Sequence, residues 1–311
     1  MSVPSKPDFE SFFETAKWKP SQELLRKAET ITFNEDALID FYLSRDKEEL
    51  LYFNRLTNHM VFNWLWNQQS CQRAFAKKKP KKRTQNNALS TEDCARALAR
   101  YLLKELEEGR NRLFPNEKSV RSSIIRDMYR EDRSALFWRN IVRGFYNYFY
   151  TDRAEKLHAM YKEFEALRKH GKKLADQLRT LFLPLNQDEA DLFTNGRPID
   201  VFLNNNERTA FRIESFLTPH GERPPVSKND STLKERVLVF DLYQAFMCRS
   251  RRARATAIFH LMMIEGVKHN FEHRTIERWL KAFREEREKA KQTHARMEEE
   301  RRAWEENRRK K

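Results

Sequence analysis

The chain has 311 residues and a formal net charge of +15 at pH 7, because 61 lysines and arginines stand against 46 aspartates and glutamates. Charged residues make up 34% of it, and no apolar run approaches the roughly 18 residues of a membrane span, so we expect no transmembrane segment and no membrane partner. Three scattered cysteines and a start without a signal-peptide pattern predict a cytoplasmic protein, nucleoid-associated in a bacterium or nuclear in a eukaryote.

The helix-breaking residues predict an all-α fold. Only six glycines occur, whereas about 7% is usual, and strand-rich folds need glycine in their turns. Prolines are absent between Pro115 and Pro184 and again after Pro225, which leaves room for long helices. We expect a multi-helix amino-terminal domain, a carboxy-terminal module that resembles a helix-turn-helix, and a charged helical tail.

The amino-terminal domain is predicted to span 8–217. Apolar residues spaced by three and four predict helices over 35–45, 47–76, 91–108, 118–150 and 153–183. The second of these is rich in aromatic residues (Tyr52, Phe53, Phe62, Trp64 and Trp66). We interpret them as helical core, with base stacking in a nucleic-acid site as the alternative. The last has its apolar positions at Leu157, Met160, Tyr161, Phe164, Leu167, Leu174, Leu178 and Leu181.

The stretch 184–231 differs in composition from the predicted helices that precede it. Prolines, Gly196, Gly221 and Asn204–Asn206 predict an irregular segment over 184–217, with a short strand near Ile199–Leu203 or Ala210–Phe216. Residues 218–231 have the composition of a linker, so we place the domain boundary there.

A basic run lies between two of the predicted helices. It puts six cationic side chains into seven residues: Lys77, Lys78, Lys79, Lys81, Lys82 and Arg83. Such a run neutralises phosphates or, in a eukaryote, acts as a nuclear-localisation signal; a solvated loop is the alternative. Given the excess positive charge of the whole chain, we predict phosphate contact.

The carboxy-terminal module is predicted to span 232–286. It comprises helices over 232–248 and 252–264 and a third helix that begins near His273. A basic joint between the first two contains Arg249, Arg251, Arg252 and Arg254. We expect these arginines to contact nucleic-acid phosphates.

The third helix of this module has two chemically different faces. One is apolar, with Ile276, Trp279, Leu280 and Phe283 at helical spacing. The other presents Arg274, Thr275, Arg278 and Lys281. With its Thr-Ile-x-Arg-Trp-Leu string, the stretch resembles a recognition helix of the helix-turn-helix superfamily, whose arginines read guanine edges in the major groove and whose lysines meet phosphates. The alternative is an ordinary amphipathic helix with a solvated basic face.

Residues 287–311 form the predicted tail. Opposite charges recur four residues apart, which supports a solvent-exposed helix, and the apolar positions that a coiled-coil dimer needs are nearly absent. We expect a continuation of the third helix.

No established catalytic motif occurs. The chain has no glycine-rich phosphate loop, no H-E-x-x-H and no C-x-x-C, and His269 and His273 lack the cysteines that a zinc finger needs. One possibility remains, because Arg153 with His158 and Arg254 with His260 resemble the Arg–His pair of all-helical HEPN-class ribonucleases. We nevertheless expect no enzyme, no cofactor and no metal.

The sequence thus predicts a nucleic-acid-binding protein, with double-stranded DNA as the partner of the carboxy-terminal module and a protein as a further partner of the amino-terminal domain. A regulator, or an accessory subunit of a replication, mobility or defence system, fits this reading. Two alternatives stay open: an all-helical RNA-binding or RNA-cleaving protein, and a protein–protein adaptor whose charge serves solubility.

Overall fold

The computed structural model describes residues 2–75, 91–108, 116–129, 133–181, 199–217, 226–250, 253–268 and 271–310. All regular structure in these ranges is α-helical, which confirms the predicted fold class. The helices are α1 Lys6–Thr15, α2 Gln22–Thr30, α3 Glu35–Thr57, α4 Met60–Asn67, α5 Gln69–Phe75, α6 Thr91–Glu108, α7 Glu117–Met128, α8 Arg133–Tyr150, α9 Arg153–Thr180, α10 Ile199–Leu217, α11 Leu233–Ser250, α12 Ala255–Leu261 and α13 His273–Lys310.

Residue contacts divide the chain into two compact units. The first comprises Met1–Tyr150 and Asp241–His269, and the second comprises Thr151–Phe240 and Asn270–Lys311. Helix α11 contributes to both. The predicted linker at 218–231 lies inside the second unit, and the predicted 232–286 module has residues in each, so this division differs from the one inferred from sequence.

One core of the first unit lies among α2, α3, α6 and α7. Leu24, Leu38, Ala99 and Ile124 are buried together there. Asparagine caps explain where two of these helices begin: the side chain of Asn34 accepts a hydrogen bond from the backbone N–H of Ala37 at 2.8 Å, and Asn116 does the same for α7. Such caps satisfy amide groups that have no partner within the helix.

The remainder of the first unit is packed with aromatic rings from α1, α4, α5, α8 and the second half of α11. Tyr52, Phe62 and Trp64 are buried, which confirms their prediction as core. Phe53 is only half-buried, and Trp66 departs from the prediction with 40% of its surface exposed, although its ring still packs edge-on against Trp138, with centroids 5.7 Å apart.

Helix α12 also belongs to the first unit, where it packs against α5. The turn that follows contains Gly266, whose φ of +88° is one that L-residues rarely adopt. A Cβ at this position would lie 2.7 Å from Cγ2 of Val3, so glycine is required both by the backbone and by the close approach of the amino terminus.

In the second unit, α9 packs along α10. The predicted irregular segment and short strands were therefore wrong over 199–217, which is one helix; 184–198 lies outside the described residues. The physical reason is tertiary packing: Ala175 and Ala210 are fully buried, and Arg179 bridges to Glu207 and Glu214 of α10. These contacts override the weak helix propensity of the asparagines.

The start of α9 packs against the first turns of α11. Ala154, Val226, Leu233 and Val237 form a small buried cluster. Helix α13 continues without a break to Lys310, so the tail extends the third helix as predicted. Within the described ranges, none of the helices combines the length and the apolar character needed to cross a membrane.

Candidate nucleic-acid interface

The first three turns of α13 separate apolar and basic side chains onto different faces. Ile276, Leu280 and Phe283 are buried, as the spacing predicts. The ring of Phe283 meets that of Phe240 edge-on, with centroids 5.3 Å apart and an interplanar angle of 90°. This apolar stripe fixes the helix on the second unit, so its orientation does not depend on the basic residues.

Trp279 lies at the border of that stripe. It is only half-buried, and its ring packs edge-on against Phe271, with centroids 5.1 Å apart. The prediction that it shares the core with Leu280 was therefore too strong. Because Phe271 precedes the helix, the spacing of apolar residues within α13 gives no sign of this contact.

The basic residues of α13 occupy the exposed face. Arg274, Arg278 and Lys281 are exposed, and Thr275 is half-buried between them. The Arg278 guanidinium donates to the Thr275 hydroxyl oxygen at 3.1 Å, which restricts the arginine fork to a small set of rotamers. Lys281 Nζ lies 3.8 Å from a Glu285 carboxylate oxygen, a surface ion pair too exposed to hold the lysine tightly.

The other predicted phosphate ligands do not lie on α13. Arg249 and Arg254 belong to the first unit and are exposed, whereas Arg274, Thr275, Arg278 and Lys281 belong to the second. Cζ of Arg249 lies 4.9 Å from the centroid of the Phe137 ring, a cation–π contact that the sequence did not reveal. Eight predicted ligands lie outside the described residues: Lys77, Lys78, Lys79, Lys81, Lys82, Arg83, Arg251 and Arg252.

The histidines of the two Arg–His pairs considered for RNA cleavage both contact other residues of the fold. His158 is buried, and its Nδ1 donates to the backbone carbonyl oxygen of Val226, which ties the segment before α11 to α9. The burial of this ring favours a structural role, because a general acid or base must reach its substrate. His260 sits on α12 beside Phe259, with ring centroids 5.9 Å apart.

Metal ligation finds no support in the part of the chain that is described: no three His, Cys, Asp or Glu side chains there are grouped to hold an ion. Cys71, Cys94 and Cys248 are free thiols, and burial raises the pKa of Cys71 to about 12, so it stays protonated at neutral pH.

Sequence reasoning missed one feature of α9. Met160, Leu167, Leu174 and Leu181 were grouped with its core-facing residues, but all four are exposed. Their spacing of seven, beside a second apolar register at Leu157, Phe164 and Leu178, was the available signal.

No protein-family model matches this chain, and no curated protein or solved structure matches it either.

Proposed function

We propose that this protein binds double-stranded DNA through the exposed basic face of α13. The observation that carries the proposal is the division of one helix into a buried stripe of Ile276, Leu280 and Phe283 and an exposed set of Arg274, Arg278 and Lys281. The buried stripe supplies a rigid support, and the exposed set supplies donors of the type that base edges and phosphates accept.

The dimensions of the helix suit the major groove. An α-helix with its side chains is about 10–12 Å wide, and the groove of B-DNA is about 12 Å wide. Arg274 and Arg278 are four residues apart, so their Cα atoms are separated by about 6 Å along the axis and their side chains point the same way. The bond from Arg278 to Thr275 lowers the entropy lost when the guanidinium binds guanine.

The charge of the chain supports the same partner. A net charge of +15 attracts a polyanion over long distances and raises the rate of encounter. Charge alone does not select duplex DNA, so the test must separate sequence reading from attraction to phosphate.

A preferred duplex is first selected from a random pool with the full-length protein, and binding is then measured by fluorescence anisotropy on this duplex and on a scrambled one. Arg274→Ala and Arg278→Ala are expected to weaken binding to the preferred duplex by about 1–3 kcal/mol and to leave the scrambled duplex almost unaffected. Lys281→Ala is expected to weaken both equally, since a phosphate contact carries no sequence information.

Arg26→Ala provides the matched control, because Arg26 is an exposed helical arginine of the first unit and its loss changes the net charge by the same amount. All variants should keep the parental melting temperature. If the α13 variants bind both duplexes as tightly as the parent does, the proposal is wrong. A parent that prefers a structured RNA or single-stranded DNA over every duplex also contradicts it.

A further inference from the structure

The positive charge of the chain is concentrated in three stretches that contain no acidic residue. These are 50–91, 133–150 and 242–264, and together they hold 15 of the 61 lysines and arginines and none of the 46 aspartates and glutamates. The rest of the chain contains 46 residues of each sign, so it is balanced. The whole excess of +15 therefore belongs to these stretches, all of which lie in the first unit.

The same three stretches build one cluster of aromatic rings. We refer to it as the ring cluster, and it comprises Phe62, Trp66, Phe75, Phe137, Trp138 and Phe246. Four of these side chains are buried and Phe75 is half-buried, whereas Trp66 is 40% exposed. The aromatic surface of Trp66 and the excess charge thus arise from the same segments of the chain.

The indole of Trp66 is held by three neighbouring rings. Its centroid lies 6.3 Å from that of Phe62 and 6.4 Å from that of Phe75, and both of these rings are nearly parallel to it. Trp138 meets it edge-on at 5.7 Å. Because the orientation of the indole is fixed before a ligand arrives, little side-chain entropy is lost when a flat group stacks on its exposed part.

Arg249 supplies a cation at the same cluster. Its Cζ lies 4.9 Å from the centroid of Phe137, and Phe137 in turn lies 5.2 Å from Trp138, the ring that contacts Trp66. Arg249 is exposed, so its guanidinium can donate to a phosphate while it remains over the ring. Only two rings separate it from Trp66, and a short strand of nucleic acid can reach both.

Chemistry selects the occupant of this surface. A held indole beside cations, in segments without carboxylates, suits a polyanion that also presents flat rings. The bases must be unpaired, because those of a duplex are stacked on one another and expose only their edges. A membrane surface fits less well, since Asn63 and Asn67 are exposed polar amides on the same short helix as Trp66.

We propose that the first unit binds single-stranded nucleic acid, with a base stacked on Trp66 and a phosphate held by Arg249. This site is separate from the basic face of α13, and it does not depend on the binding of duplex DNA there.

The probe is a labelled oligothymidylate of about 12 nucleotides, with an oligouridylate of equal length to distinguish DNA from RNA. A third strand has the same phosphates but abasic sites in place of bases. Binding to the full-length protein is measured by anisotropy. We expect the strands with bases to bind at least about fivefold more tightly than the abasic strand, because stacking adds to the attraction of phosphate.

Two substitutions of one residue test the stacking. Trp66→Leu should lower affinity for oligothymidylate at least about fivefold and leave the abasic strand unaffected, whereas Trp66→Tyr should bind nearly as the parent does, since tyrosine also stacks with bases. Circular dichroism checks that both variants are folded. Tyr101→Leu is the matched control, because Tyr101 is an exposed aromatic residue of α6, which carries both signs of charge. It should bind as the parent does.

A readout on the parent needs no variant. When iodouracil replaces thymine in the strand and the complex is irradiated, we expect mass spectrometry to find the crosslink at Trp66.

The salt dependence tests Arg249. Arg249→Gln should reduce the slope of log affinity against log salt by about 0.7, the value for one phosphate of a single strand. Arg26→Gln, an exposed arginine of α2, removes the same charge elsewhere in the first unit and should keep the parental slope.

Three results would overturn the proposal: equal binding of oligothymidylate by the parent and by Trp66→Leu, equal binding of the abasic strand and the strands with bases, or Trp66-dependent binding of anionic lipid vesicles without Trp66-dependent binding of a strand. The first two indicate attraction of charge alone, and the third makes a membrane surface the occupant. The α13 proposal fails independently. Arg278→Ala should bind oligothymidylate as the parent does, and a parent that prefers this strand over every duplex contradicts duplex binding by α13 but not stacking on Trp66.

Discussion

At the scale of single residues, Asp230 organises the segment that leads into α11. Its carboxylate accepts hydrogen bonds from the backbone N–H of Thr232 at 3.0 Å, from the Thr232 hydroxyl at 2.8 Å and from Nη1 of Arg236 at 2.6 Å. The same guanidinium donates to the carbonyl oxygen of Lys228. The hydrogen bond from the Thr232 side chain, with further contributions from Arg236, holds the pKa of Asp230 below its ordinary value.

This shift predicts a pH-dependent contribution to stability. A carboxylate whose pKa is lower in the folded than in the unfolded protein stabilises the fold above the unfolded value of about 3.9, and the contribution disappears as the pH falls through the folded value. We expect Asp230→Asn to lower the free energy of unfolding by about 1 kcal/mol near neutral pH, since the carboxylate is partly exposed. At pH values below the lowered pKa of folded Asp230, the parent and the variant should converge in stability.

Urea denaturation followed by circular dichroism at several pH values checks this prediction. Glu163→Gln, a neutralised and exposed carboxylate on α9 of the same unit, serves as the control and should follow the parent throughout. A difference between Asp230→Asn and the parent that stays constant down to acidic pH would contradict the role given to the charge.

The two faces of α13 could be predicted from the sequence, whereas two of the aromatic contacts near the basic residues could not. The burial of Ile276, Leu280 and Phe283 and the exposure of Arg274 and Arg278 follow from helical periodicity, which is a local property of the chain. The contact of Arg249 with Phe137 and that of Trp279 with Phe271 do not follow from it. They depend on how segments that are not on the same helix meet.

At the scale of helices, Arg179 links α9 to α10 by side-chain hydrogen bonds. Arg179 donates to both carboxylate oxygens of Glu214, from Nη1 at 2.8 Å and from Nη2 at 2.7 Å, while its Nε lies 3.3 Å from Glu207. This bidentate bond keeps the pKa of Glu214 below its ordinary value, with a smaller contribution from the charge of Lys172.

We expect Arg179→Met to loosen this pairing, because methionine keeps helix propensity and an apolar stem but removes the charge. The loss of about 1 kcal/mol should raise the rate of amide hydrogen exchange in α10 about fivefold, with a smaller effect at high salt. Hydrogen exchange measured by mass spectrometry is the readout. Lys162→Met, an exposed residue of the same helix, is the control. If the amides of α10 exchange equally fast in Arg179→Met and Lys162→Met, then Arg179 does not stabilise the pairing of α9 with α10.

Helix α10 also marks the limit of prediction at this scale. The limits predicted for α6 match the structure, and those for α9 and α11 come within a few residues, because their apolar periodicity is strong. In α10, three consecutive asparagines signal a turn when read locally. Its helix depends on burial of Ala210 and on Arg179, which lies 31 positions earlier in the chain, so composition of the segment alone predicts the wrong state.

At the scale of the whole molecule, the division into units is the property that the sequence conceals. A linker-like composition at 218–231 suggests a boundary, but Val226 is buried with Leu233 against α9. The second half of α11 packs with the aromatic rings of the first unit, where Phe246 meets Phe137 edge-on, with centroids 5.2 Å apart. A helix shared by two cores leaves no compositional signal, since both of its halves are equally apolar.

The net charge of +15 makes the salt dependence of binding the final prediction. For duplex DNA, the logarithm of the binding constant should fall with the logarithm of salt concentration by about 0.9 for each phosphate neutralised. We expect this slope to flatten on every duplex when serine replaces the six residues of the basic run between the predicted helices, Lys77, Lys78, Lys79, Lys81, Lys82 and Arg83. Because phosphate contacts carry no sequence information, the ratio of affinities for preferred and scrambled duplexes should stay unchanged.

Arg278→Ala should have the opposite pattern, with a reduced ratio of affinities and a salt slope lowered by about one at most. Anisotropy titrations at a series of salt concentrations distinguish the two. If the serine variant keeps the parental slope, these six residues do not contact phosphate, and the affinity for phosphate comes from other basic residues such as Lys281.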